Sequence, residues 1–419
     1  MPARNRGERS LFGRLTACVV LVVVTMLGSL AEAADAPLSA RLQAIADTYL
    51  AQRGKIEGVS GVSLFVDPGA HGPIVEVYSG TDGLAGARPI GPRTLFQIGS
   101  NTKHFTAALI LKLEAEGKLD IDQTVGHWLP QYPAWAKVSI RSLLDMTSGI
   151  PNYSETVEIG QVIAADIHHQ FTPAQLIAAA YPGDHLPPHS GWFYSNTNNI
   201  LAALIIEAAS GMSYKDALET LVVKPLRLPD TFYSDGPYPR AVLDRVPRGL
   251  YENRECLLYQ PTPCTQSTLA PLVGRDMRAQ NLSWAGAAGA IIGTPRDLAT
   301  WIRALFALRV FPQKQLDEMT SVVSQKTGLP IHDVSAADPI GFSLDLGRTY
   351  QAPLGGTYWF YEGMTLGFRV IFAYWPQYDL VITAATNSQP PEGENQFGKM
   401  VVGGAFAAMR DGGVVGIGR

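Results

Sequence analysis

The stretch TLFQIGSNTKHFTAALILKL, residues 94–113, decides how the chain is read. Thr94 to Ile98 is apolar and β-like. Ser100 then opens a helical pattern in which Phe105, Leu109 and Leu113 recur at helical spacing until Glu116-Gly117. A strand that runs straight into a helix puts Ser100 and Lys103, three residues apart, on one helix face and within reach of each other. A serine hydroxyl is a weak nucleophile until a base takes its proton, and a lysine serves as that base where its surroundings favour the neutral amine. The helix N-terminus adds a backbone N–H at Ser100 that can donate to a developing oxyanion. Ser-x-x-Lys by itself is weak, since about one such spacing arises by chance in a chain of this length. Its bland reading is a helix cap followed by a solvated lysine.

Upstream of this stretch, Val59 to Val66 and Ile74 to Ser79 form a hairpin signal around Asp-Pro-Gly-Ala-His-Gly-Pro. Downstream, about 120 to 300 reads mainly as helix and loop. Ser139 to Met146 is a short helix, Thr172-Pro173 caps a helix over Ala174 to Ala180, and Asn198 to Ser210 is strongly apolar. Residues 229–280 read as a long decorated loop. Thr294-Pro295 starts a helix through Leu308. Strands return at Tyr358 to Met364, Arg369 to Tyr374 and Leu380 to Thr386, and a helix follows over Gln396 to Met409. Strands at both ends with helices between predict an α+β fold: an antiparallel sheet flanked by helices, with an inserted all-helical part. The expected division is a signal peptide over 1–33, one domain over 34–410 (sheet part about 37–104 and 285–410, helical part about 105–284) and a flexible tail over 411–419.

The 419 residues are 46% hydrophobic and 17% charged, which supplies a large core and argues against disorder. A net charge of -4 leaves no basic footprint for nucleic acid. Arg4, Arg6, Arg9 and Arg14 precede an apolar run from Leu15 to Leu30, and Ala31-Glu32-Ala33 fits a small-x-small cleavage site. This predicts export to the periplasm or beyond, with a mature start at Ala34. The run is shorter than the roughly 20 residues that span a bilayer, which weighs against a stable membrane anchor. Leu15-Thr16-Ala17-Cys18 resembles a lipoprotein box but precedes the apolar run instead of following it. Cleavage would leave Cys256 and Cys264, eight apart, which read as a local disulfide in an oxidising compartment, against the alternative of two free thiols.

Two further segments carry candidate chemistry. Tyr194-Ser195-Asn196 follows a turn-rich segment and precedes the apolar helix. The tyrosine would shuttle a proton, and Asn196 would hold Lys103 and orient a substrate amide. A bland reading is an asparagine cap beside a packed tyrosine. Tyr251-Glu252-Asn253 has the same spacing but opens no apolar helix. Tyr361-Glu362-Gly363-Met364 lies on an expected strand, where Gly363 would admit a substrate backbone and the Met364 N–H would be a second oxyanion donor. His168-His169 and His185/His189 have no supporting ligand pattern, and Pro187-Pro188 breaks a helical histidine face, so neither metal nor cofactor is expected.

The ordered set Ser100-x-x-Lys103, Tyr194-x-Asn196 and a late x-x-Gly strand resembles the penicillin-recognising serine hydrolases: class C β-lactamases, D-alanyl-D-alanine carboxypeptidases, D-aminopeptidases and related esterases. Leu143 to Ile150 (Leu-Leu-Asp-Met-Thr-Ser-Gly-Ile) and Gly286-Ala287-Ala288-Gly289 with Thr294 to Ala299 match the same context, and the resemblance spans about 40–405. It implies a β-lactamase/transpeptidase-like fold and an acyl-serine intermediate. It also implies Ser100 as nucleophile, Lys103 and Tyr194 as acid/base pair, Asn196 as orienting amide, and the Ser100 and Met364 N–H groups as oxyanion hole. Its substrates would be small molecules or peptides, with cell-wall fragments one source. The third motif departs from the family, because Tyr361 stands where lysine or histidine is usual. A neutral phenol there argues against β-lactamase activity and against recognition of a free carboxylate. Arg369 on the next strand would restore positive charge, and strand alternation would turn Glu362 away. The family's histidine is replaced by Met146, a structural change. The rival readings are a true β-lactamase and a non-catalytic penicillin-binding or sensory module.

Overall fold

The computed structural model describes residues 36–183, 190–253, 268–391 and 393–415. The expected leader with its Ala33 cleavage site, the Cys256/Cys264 pair, His185 and His189, and the last four residues of the tail lie outside them. Helices α1 (Leu38–Glu57), α2 (Lys103–Ala115), α3 (Asn196–Ser210), α4 (Pro295–Phe306) and α5 (Gly403–Asp411) frame a large sheet. Its strands are β1 (Gly61–Asp67), β2 (Val75–Gly80), β3 (Val322–Ser324), β4 (Pro330–Ile331), β5 (Ile340–Phe342), β6 (Gly347–Gln351), β7 (Gly356–Thr365), β8 (Phe368–Trp375) and β9 (Leu380–Thr386). Their order is β2-β1-β9-β8-β7-β6-β5-β3-β4, antiparallel throughout. The first hairpin therefore pairs with the last strand, Val62 opposite Thr386, and the helical part is inserted between the two ends of one sheet.

Alternation along the central strands makes two cores. On β8, Val370 and Phe372 point to one side and Ile371, Ala373 and Trp375 to the other. The second side is covered by α1 and α5, through Leu42, Ala46, Tyr49, Ala405 and Phe406. The first side is covered by α4 and by the helical part. Burying each large apolar side chain here contributes about 1.5–3 kcal/mol. Helix α2 is buried nearly all round, from Lys103 to Leu111. A helix apolar on every side belongs inside a core, and α2 runs down the middle of the molecule.

Three features differ from the sequence reading. Helix α1 has no counterpart in the sequence reading, because its buried face rests on few residues spaced among charged ones. The strand expected at Thr94 to Ile98 shortens to Phe96–Gln97 and leaves the main sheet for a small ribbon with Ile292–Gly293 and Thr231–Phe232. Residues 229–280 are not loop throughout, since they also hold Arg240–Leu243 and Leu250–Tyr251. No helix among the described residues is long and apolar enough to cross a membrane.

Candidate active site

Ser100 sits in a single tight turn, Gly99–Thr102, that leads into α2. Two glycines let this turn lie flat on β7. Gly99 has φ +55, and a β-carbon there would lie 2.6 Å from the Met364 backbone N. A β-carbon on Gly363 would overlap the Ile98 carbonyl oxygen and lie 2.8 Å from the Asn101 N. The Asn101 side chain fastens the turn by donating to Ile98 O (3.0 Å) and to Val370 O on β8 (2.8 Å). Ser100 and Met364 thus lie on segments in direct contact. Gly363, expected to admit a substrate backbone, instead admits the chain's own turn. The reason is that its open side already faces Ile98 and Asn101.

Three residues on, at the first position of α2, Lys103 is fully buried. Its Nζ donates to Ser100 Oγ (3.1 Å), Asn196 Oδ1 (2.6 Å) and Ala288 O (2.8 Å). All three acceptors are neutral, and among the described residues Lys103 forms no ion pair with a carboxylate. The Tyr194 hydroxyl is 2.7 Å from Ser100 Oγ, and its ring centroid is 4.9 Å from Nζ. The serine hydroxyl therefore lies between an amine and a phenol, an arrangement that can take a proton from one oxygen and return it to another.

Tyr194 and Asn196 are placed by the segment before α3. Ser195 Oγ donates to Pro151 O (3.1 Å), and the Asn196 N–H donates to Asn152 Oδ1 (3.1 Å). Asn196 is not a cap. Its Nδ2 donates to Ser154 Oγ (2.9 Å), which turns Oδ1 toward Lys103. Met146, buried at φ +64, accepts at sulfur from Ser195 N–H (3.5 Å) and Asn198 Nδ2 (3.4 Å), a structural role as the sequence suggested. Asn152, Ser154 and the Ala288 carbonyl are missed by reading the sequence. Side-chain type gives no signal for a carbonyl, and Asn152 and Ser154 belong to no spaced motif.

The third-motif residues divide between two faces. Tyr361 points to the site, its ring 5.9 Å from Phe342 and 6.4 Å from His104, and its buried hydroxyl, beside Tyr194, has no well-formed hydrogen bond among the described residues. Burial, and then the neighbouring Tyr194, push its phenol well above the ordinary tyrosine range, so it is neutral. His104 is also neutral. Burial, and secondarily Lys103, push it down to about 3, while its Nδ1 accepts from Trp301 Nε1 (2.8 Å). Glu362 turns away, accepting from Asn395 Nδ2 (2.9 Å). Arg369, expected to bring positive charge to the substrate, does not reach the site. It is fully buried on the opposite face, bound to Glu57 (2.7 Å), Asn395 (2.7 Å), Tyr49 (3.1 Å) and Ser388. Its neighbour Val370 takes the site-facing position, and alternation sends Arg369 the other way. The decoy Tyr251 is buried in a two-residue strand beside Ser388 and Gln389.

Comparison with known proteins agrees with this architecture. Over 148 residues the chain is 38% identical to penicillin-binding protein 4* of Bacillus subtilis, which is 34% of this chain and 32% of that protein. Over 210 residues it is 32% identical to esterase EstB of Burkholderia gladioli, 46% of this chain and 51% of the esterase. The matched stretches thus span only about a third to a half of these relatives. The crystal structure of a D-stereospecific amidohydrolase from Streptomyces sp. superposes with a TM-score of 0.66 at 27% identity, covering 84% of this chain and 95% of that one. The model of the Beta-lactamase family matches residues 46–415, and the chain belongs to that family.

Proposed function

We propose that the chain is an exported hydrolase that cleaves an amide or ester through an acyl-serine intermediate. The observation that carries this reading is the contact of Ser100 Oγ with both Lys103 Nζ (3.1 Å) and Tyr194 OH (2.7 Å), Lys103 itself being held by Asn196 (2.6 Å). In the reaction, the Lys103 amine, its N–H groups held by Asn196 and Ala288 and assisted by Tyr194, takes the Ser100 proton as Oγ forms a bond to the substrate carbonyl carbon. The Ser100 and Met364 N–H groups receive the oxyanion. The bond to the leaving nitrogen or oxygen breaks as Tyr194 passes a proton to it and is reprotonated by Lys103; water, giving a proton to the restored Lys103–Tyr194 pair, then breaks the acyl–Oγ bond, and the proton returns to Ser100 Oγ as the acid leaves. No metal or cofactor takes part in this scheme.

The relatives suggest substrates of this class: a penicillin-binding protein, an esterase and a D-stereospecific amidohydrolase. The neutral Tyr361 and the remote Arg369 leave the third motif without the positive charge that would hold a free carboxylate, which favours uncharged esters and amides over β-lactams. Export and a Cys256–Cys264 disulfide belong to the same proposal. They predict a purified protein that starts at Ala34 and takes up thiol label only after reduction.

The test is turnover of a chromogenic ester and of D-amino-acid amides, with intact-mass detection of an acyl adduct, on wild type and Ser100→Ala. Turnover lost by the variant supports the reading. An unlabelled, inactive wild type sinks it, and rapid penicillin hydrolysis would replace it with a β-lactamase.

A further inference from the structure

Beside Lys103 the fold buries a carboxyl group that the proposed reaction does not use. Asp345 lies in the turn between β5 and β6, at φ +59 and with no exposed surface. Its backbone N–H donates to Leu144 O (2.9 Å), and its Oδ2 accepts from Asn199 Nδ2 (2.7 Å). The other two oxygens of the pair, Asp345 Oδ1 and Asn199 Oδ1, are both buried without a hydrogen-bond partner among the described residues. Two orphaned acceptors flanking one hydrogen bond are costly, and one proton between them would satisfy both. Asn199 is one helical turn from Asn196 on α3, the residue that holds Lys103.

We propose that Asp345 and Asn199 form a two-point acid–amide pair, with the Asp345 O–H donating to Asn199 Oδ1 and Asn199 Nδ2–H donating to Asp345 Oδ2, and that this pair positions Asn196 against Lys103. Asp345 is then a positioning residue. The groups facing it are Lys103 on α2, Asp145 after the helix Ile140–Leu144, Tyr361 on β7 and Tyr214 at the start of the helix Tyr214–Leu218. Burial pushes its carboxyl well above the ordinary carboxylate range against the pull of Lys103, and Asp145 adds to the push. A neutral acid also leaves no anion to bind the ammonium form of Lys103, which would remove the base the hydrolase reading requires.

The kinetic part rests on that reading, and the pairing does not. Unfolding free energies of wild type and Asp345→Asn are measured from about pH 5 to about pH 8. The folded wild type must keep a proton that its unfolded chain releases, so Asp345→Asn gains on it steadily as pH rises. A difference that stays constant with pH, or an Asp345→Asn protein that does not fold, overturns the pair. In ester turnover, Asp345→Ala lowers kcat about ten- to hundredfold with KM little changed, and Asp345→Asn restores it. Unchanged kcat in Asp345→Ala, or an asparagine variant as slow as the alanine one, overturns the positioning role. The comparison of wild type with Asp345→Asn stands whether or not the alanine variant folds. Absence of turnover in the wild type would sink the hydrolase reading and leave the pairing to be decided by the stability measurement.

Discussion

The Tyr194 hydroxyl lies closer to Ser100 Oγ than the Lys103 amine does. Removing it leaves Lys103 with its other two acceptors, Asn196 and Ala288, so the buried amine stays in place. Tyr194→Phe therefore loses proton transfer without losing the site. Its kcat for ester turnover is expected to fall about a hundredfold or more, about 2.7 kcal/mol, with KM little changed, in steady-state assays. At this scale the sequence is legible where chemistry depends on spacing along one helix or one turn. Ser100 and Lys103 are three apart on a helix face, and Tyr194 and Asn196 flank one residue at a helix start. It is illegible where the partner is a backbone carbonyl, as at Ala288, or where a strand face decides, as at Arg369. Register depends on which strands become neighbours, and Arg369 is an ordinary strand residue until Met364 and Thr386 stand on either side of it.

Among the elements, the contact between the Gly99–Thr102 turn and β7 sets the depth at which Ser100 lies against the sheet. A methyl group on Gly363 has no room, because what it meets is backbone, the Ile98 carbonyl oxygen and the Asn101 N, together with the Asn101 side-chain nitrogen that fastens the turn. Gly363→Ala is expected to cost roughly 1–3 kcal/mol in urea denaturation and to lower kcat by more than any loss of folded protein explains, since the turn and Met364 must part. The central elements are legible because their patterns are strong: the apolar helix near 198–210 and the successive strands near 358–386. Helix α1 and the short strands β3 to β6 are not. Strands of two to five residues and a helix with a thin buried stripe owe their form to the sheet and core they complete, which no local window contains.

The two faces of the sheet serve different ends. One carries the candidate site; the other is tied by a buried ion pair, Arg369 with Glu57 (2.7 Å), which joins α1 to β8 and, through Ser388 and Asn395, to the segment after β9. Burial opposes the charge on Glu57, but Arg369, with hydrogen bonds from Arg53 and Tyr49, holds it below the ordinary glutamate range. That stabilisation is present above the unfolded value, near pH 4.5, and is lost as pH falls through the folded value. Arg369→Met leaves Glu57 with only Arg53 and Tyr49 and is expected to cost roughly 3 kcal/mol at neutral pH, the low end for breaking a buried pair, measured by denaturant unfolding, with a smaller further loss on acidification than in wild type. Because Arg369 faces away from Ser100, the folded fraction of that variant should keep the wild-type KM.

The pairing of β1 with β9 has a consequence in time. Gly61 donates to Asn387, 326 residues further on, so the first strand has no lasting neighbour on that side until that later segment has been made. Such closure is entropically slow, and the unfinished edge stays open while synthesis proceeds. Ser100 and Lys103 emerge from the ribosome well before Met364 and the strands that seat the nucleophilic turn. Until then Ser100 and Lys103 have no completed oxyanion-binding partner beside them.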